Sequence, residues 1–159
     1  MRLYIKQKVF SWVDRFAVKD EAGQDKYFVE GEFSFGKKLH VYGALGAERA
    51  YIEQKLFSFL PRYFVYVQGV QVAEIVKEFT FLVPKYSIED LGWEIKGDFF
   101  AHEYEIIQNN QTIATIHKEW MTWGDCYVVD ISNESDEITA LSVVIAIDCV
   151  MAAQSSSGS

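Results

Sequence analysis

DEITALSVVIAIDCVMAAQ, residues Asp136 to Gln154, is the stretch on which the fold turns. Between Ile138 and Ala153 its apolar residues fall on every side of a helical projection, with no polar stripe. A helix that is hydrophobic all round must be enclosed all round. A bilayer span needs ~20 apolar residues. This run is shorter and carries Asp148 inside it, and a charged Asp near the midplane costs ~3 kcal/mol. The spacing therefore predicts a helix over 138–153 buried in a protein core, with no transmembrane span. Asp148, enclosed in that run, is expected to be a structural buried polar group, paired with a basic residue or with a Tyr or Trp donor from a repeat bend. The alternative is an Asp148 at a helix end that reaches water.

The wall must come from the other residues, and they read as strands. Leu3, Ile5 and Val9 alternate with Tyr4, Lys6 and Lys8, and Trp93 and Ile95 alternate with Glu94 and Lys96. Such period-2 patterns put one face on a core and one in water. Gly43 to Gly46, Gln68-Gly69, Asp90-Leu91-Gly92 and Asn109-Asn110 are hairpin signals between such runs. Strands are expected near 2–9, 15–19, 26–33, 38–42, 48–55, 62–67, 70–78, 84–89, 93–97, 102–107, 111–119 and 125–131. About twelve strands spaced ~4.8 Å apart and tilted ~40° close into a barrel of radius about 12 Å. A helix with its side chains is ~10–12 Å across and fills that space. The expected fold is thus mainly β, a closed antiparallel barrel of about twelve strands enclosing a hydrophobic C-terminal helix. It forms one domain, 1–154, followed by a short tail, 155–159, that is disordered or a linker.

Four segments are copies of one another: IKQKVFSWVDRF from Ile5, IEQKLFSFLPRY from Ile52, IVKEFTFLVPKY from Ile75 and IHKEWMTWGDCY from Ile116. Ile opens each, Asp or Pro stands tenth, and Phe16, Tyr63, Tyr86 or Tyr127 closes it. This is duplication of one structural unit, a strand end and a bend that leads directly into the next strand.

With these motifs in place, the chain resembles the LURP-one-related family, a branch of the tubby C-terminal-domain superfamily. The resemblance covers residues 1–153. It is carried by KQKVFSW, by GKKLHVYG from Gly36 to Gly43 and by WEIKGDFFAHEYEI from Trp93, then by IATIHKEW, DCYVVDI and ALSVVIAID. It implies the helix-threaded barrel. It also implies kinship with domains that bind phosphoinositide head groups and with scramblases acting at membranes, but no lipid-binding residue carries over position by position.

Charge is divided along the chain. Through Arg62 there are 11 Lys and Arg against 8 Asp and Glu, and beyond it 4 against 15, within a net charge of −8. That balance speaks against nucleic acid as a partner. Lys6, Lys8, Lys37, Lys38 and Lys55 form the candidate anion- or lipid-binding cluster; solvated strand faces that discourage edge pairing are the plainer reading. His102, Glu103 and Glu105 resemble a metal set only in spacing, since on a strand His102 faces away from both carboxylates. A solvated strand edge is the expectation there, and neither a metal nor a cofactor is expected. Cys126 and Cys149 match no redox or metal spacing and read as buried apolar residues. No nucleophile stands at a recognised spacing from His117, so no catalytic residue is assigned.

Two function classes fit these residues. The first is a non-enzymatic binding module for an anionic lipid, a phosphorylated small ligand or a protein partner. The second is an enzyme, hydrolase-like, with a site no motif reveals; a protein-interaction scaffold is a further alternative. The opening MRLYIKQKVFSW lacks the apolar core of a signal peptide. The expected location is cytoplasmic, with peripheral membrane attachment on the lipid reading.

Overall fold

A computed structural model describes residues 1–6, 15–32, 34–57, 59–78, 85–89, 91–98, 101–122 and 124–157. The protein is mainly β, an antiparallel sheet with one C-terminal helix. The strands are β1 (Arg2–Lys6), β2 (Arg15–Lys19), β3 (Asp25–Glu32), β4 (Lys38–Gly43), β5 (Glu48–Gln54) and β6 (Arg62–Val67). They continue as β7 (Val70–Glu78), β8 (Lys85–Glu89), β9 (Trp93–Asp98), β10 (Glu103–Gln108), β11 (Gln111–Met121) and β12 (Gly124–Ile131). Helix α1 spans Glu137–Ser157. The strand ends lie within about two residues of the sequence reading, except at β1, where the run expected to reach 9 is described only to Lys6; residues 7–9 lie outside the described ones.

Hydrogen-bond ladders link the strands in chain order and lead from β12 back to β1. Among the described residues β1 meets β2 through Tyr4↔Lys19 and Ile5↔Val18, and β8 meets β9 through Ser87↔Glu94 and Ile88↔Trp93.

Alternation puts Ile5, Val29, Val41, Ile52, Val65, Ile75, Ile106 and Val129 inside, each fully buried or nearly so. Leu141, Val143, Val144, Ile145 and Ile147 of α1, all with no exposed surface, pack with them in one core. This is why the helix needs no polar face. Its start is tied to the wall: the Glu137 carboxylate accepts from the Tyr27 hydroxyl at 2.6 Å and pairs with Lys26 at 2.8 Å. Burial and the Glu137 charge together push the Tyr27 hydroxyl upward, so it stays a donor.

The repeats explain the symmetry of the wall. Ile5 of the first copy stands opposite Tyr127 of the fourth, and Ile75 of the third stands opposite Tyr63 of the second. In an antiparallel ring β1, β5, β7 and β11, each opening or carrying one copy, all finish at one end. The hairpins at Asp20 to Gly23, Gly43 to Gly46, Gln68-Gly69 and Asn109-Asn110 turn at the other, and α1 runs from the hairpin end toward the bend end. Four register shifts, at Val18/Lys19, Val41/Tyr42, Val65/Tyr66 and Ile106/Ile107, sit one step in from those hairpins. Such bulges raise local twist and curl the hairpin end.

Candidate functional site: the rim of repeat bends

The topology brings the described lysines of the candidate cluster to the bend end. Lys6 ends β1, Lys37 precedes β4 and Lys38 opens it, and Lys55 follows β5 with its amide donating to the Arg62 carbonyl at 2.9 Å. Lys8 lies outside the described residues. The four are spread around the rim rather than gathered, because β2 and β3 stand between Lys6 and Lys38. Lys38 is opposite Glu32 on one side and Glu53 on the other. Half-buried Lys37 sits within the electrostatic reach of Cys149 on α1, and burial lowers its pKa. Lys6 and Lys55 are exposed. Arg15, at the start of β2, adds a cation over the Phe28 ring at 4.3 Å.

Charge is joined on this rim by apolar rings that sequence reasoning did not single out. Phe35 is 78% exposed, Phe57 96% and Phe59 98%. Phe57 has a left-handed φ of 58°, which turns the chain between β5 and β6 outward. Below these rings a groove of about 260 Å³ runs from Gln54 to Tyr63. Tyr63 closes it: its ring is buried, and its hydroxyl has no hydrogen-bond partner among the described residues. Burial raises the Tyr63 pKa, so the group is a standing donor. The repeat pattern held the available signal, since Phe59 occupies the position filled by Trp12, Leu82 and Trp123 in the other copies.

Behind the rim, α1 carries its one carboxylate inside the apolar run. Asp148 is 4% exposed and accepts a short hydrogen bond from the Tyr127 hydroxyl. The Nε2 of His102 stands 3.3 Å from its other oxygen, and the His102 ring stacks on Tyr127 at 4.8 Å. Burial, reinforced by the Asp148 charge, pushes the Tyr127 hydroxyl well up and keeps it a donor. The expectation that His102 sits on a solvated strand edge is corrected here. His102 has φ 55° in the turn before β10, and its side chain is only 17% exposed. The left-handed turn breaks the strand alternation and swings the ring inward.

Cys149, next along the helix, is buried, and burial raises its thiol pKa far from the thiolate range. The His102–Asp148 pair thus has a phenol and an unactivated thiol for neighbours. His117 reaches Glu119 on its own strand at 3.0 Å. Among the described residues no group of three His, Cys, Asp or Glu is arranged to hold a metal ion, and no helix is long and apolar enough to cross a membrane.

Comparison with known proteins follows the same architecture. The LURP-one-related family model matches residues 1–148. The uncharacterized protein YxjI of Bacillus subtilis is 37% identical over 152 residues, covering 95% of this chain and 94% of that one. An X-ray structure of a protein from Arabidopsis thaliana superposes with a TM-score of 0.61 at 14% identity, covering 93% of this chain and 90% of that one; at that identity the likeness speaks to fold alone. With the family model spanning nearly the whole chain, this protein belongs to the LURP-one-related family.

Proposed function

We propose that the protein is a non-enzymatic binding module that docks its bend rim on anionic phospholipid head groups. The observation that carries this reading is that one rim carries exposed Phe35, Phe57 and Phe59 together with Lys37, Lys38 and Lys55, and Lys6 further round it. A lysine near an anionic membrane contributes ~1 kcal/mol. A phenylalanine moved from water into the head-group boundary contributes ~1.5–3 kcal/mol. Each ring therefore contributes more than each lysine, and the lysines orient the rim and choose the lipid. The net charge of −8 repels an anionic surface, so binding depends on that orientation. On this reading the ring of ladders is a closed barrel of the tubby type plugged by α1, and binding is left to its rim and outer face.

Liposome co-sedimentation tests the proposal. Wild type should be retained by phosphatidylglycerol-containing vesicles at low salt and released as salt shortens the screening length below ~10 Å. Lys6→Glu with Lys55→Glu, and separately Phe57→Ser with Phe59→Ser, should each weaken retention. If wild type is retained by neither anionic nor zwitterionic vesicles, the proposal fails.

A further inference from the structure

The outer face of β4, β5 and β6 carries a second, separate feature. Strand alternation points His40, Tyr42, Tyr51 and Tyr66 outward in one strip, with ring centroids 6.0 Å apart for His40–Tyr42, 4.9 Å for His40–Tyr51 and 5.8 Å for Tyr51–Tyr66. His40, Tyr51 and Tyr66 of this strip line a groove of about 510 Å³, bordered by Glu48, Arg49 and Gln68. That volume is within the ~300–1,000 Å³ of small-molecule sites. The border is built by the bulge at Val41/Tyr42, which sets Glu48 opposite Tyr42, and by Gln68 at φ 49° in the hairpin.

The charges of this face are largely spent on one another. Both nitrogens of His40 are engaged, Nδ1 with Glu48 at 2.5 Å and Nε2 with Glu32 at 2.9 Å. Two carboxylate acceptors favour two N–H donors, and against the opposing pull of burial these bonds raise the His40 pKa. Lys38 stands between Glu32 and Glu53, and Arg15 stands opposite Glu30. Glu48 and Arg49 at the border bring one charge of each sign to the groove. Half-buried rings with a polar border suit a molecule with an apolar face and a hydroxylated edge. The Tyr51 hydroxyl, pushed up to about 12 by burial and by Glu53, stays a donor.

We propose that this groove binds an uncharged ring-shaped polyol of the hexopyranose class, its C–H face on Tyr51 and Tyr66 and its hydroxyls on Gln68 and Glu48. The site lies toward the hairpin end, away from the bend rim, so its occupancy is independent of lipid docking and is measured without vesicles.

The test is an amide and tyrosine-ring NMR titration with glucose, galactose, N-acetylglucosamine and their disaccharides. Tetramethylammonium chloride and inorganic phosphate serve as ionic probes. At least one sugar should give saturable shifts centred on Tyr51, Tyr66 and Gln68. Removing one ring as Tyr51→Ala should weaken it about tenfold, as loss of one aromatic contact implies, while Tyr51→Phe should keep most of the affinity and confirm that the face remains folded. Phe57→Ser should leave the sugar response unchanged. Absence of saturable shifts with every sugar, or tighter binding of either ionic probe at the same residues, would overturn the proposal.

Discussion

Replacing Asp148 with alanine removes the acceptor of the Tyr127 hydroxyl and the carboxylate that faces His102. The carboxylate is 4% exposed, accepts from a fully buried phenol, and lies 3.3 Å from the His102 Nε2. Truncating one member of such a buried, charge-assisted set costs ~3 kcal/mol, because the partners stay buried and lose their bonds. Tyr127→Phe removes a single charge-assisted bond and should cost ~1.5–3 kcal/mol. With an m-value of about 2 kcal/mol per molar urea, the Asp148→Ala midpoint should fall by about 1.5 M. Urea denaturation followed by tryptophan fluorescence measures this. A double-mutant cycle between Asp148→Asn and Tyr127→Phe should return a coupling above ~0.5 kcal/mol. A change below ~0.5 kcal/mol for Asp148→Ala would show that the carboxylate is solvated and that the buried set does not hold the helix.

Ile145, wholly buried at the centre of α1, has no route to water, so Ile145→Asp should abolish soluble folding; a well-folded monomer on size exclusion would refute the enclosed helix. His40 titrates above the ordinary histidine value: burial pulls it down, but the bonds to Glu32 and Glu48 outweigh that. The contribution of this clasp is therefore full below ~6.5, the unfolded value, and is lost as pH rises through the raised one. At the acid end it is lost as pH falls through the lowered Glu32 value. An NMR midpoint for His40 at or below ~6.5 would contradict the clasp. Gly97 has φ 129°, and an added Cβ would lie 2.5 Å from the Glu103 carbonyl and 2.7 Å from the Tyr104 Cα. Gly97→Ala should thus cost more than ~1 kcal/mol by thermal melting, and more than Gly23→Ala, where the space is open.

The helix and strands were legible because each carries its own period. The run from Ile138 to Ala153 became Glu137–Ser157, and Tyr127, closing the fourth repeat, proved to be the donor to Asp148. His102 was misread because alternation assumes an extended backbone, and a single left-handed residue before β10 reverses the side chain. The lysines could be counted but not mapped, since their separation by β2 and β3 belongs to the ladder order. Phe57 and Phe59 stayed hidden for a different reason. An aromatic in a repeated motif reads as core, and only the positive φ at Phe57 and the outward course of the β5–β6 connection expose it.

Rim docking is tested most directly by the depth of one side chain. Cys126 and Cys149 are both buried, so a nitroxide can be placed selectively at Phe59→Cys on the rim, with Leu45→Cys at the fully exposed hairpin end as control. Power-saturation EPR on protein bound to phosphatidylglycerol vesicles then reports where each label sits. Docking by the rim predicts the Phe59 label at the boundary between head groups and acyl chains, with the Leu45 label in water. Vesicle-bound protein with the Phe59 label in water, or with Leu45 the deeper of the two, would contradict it.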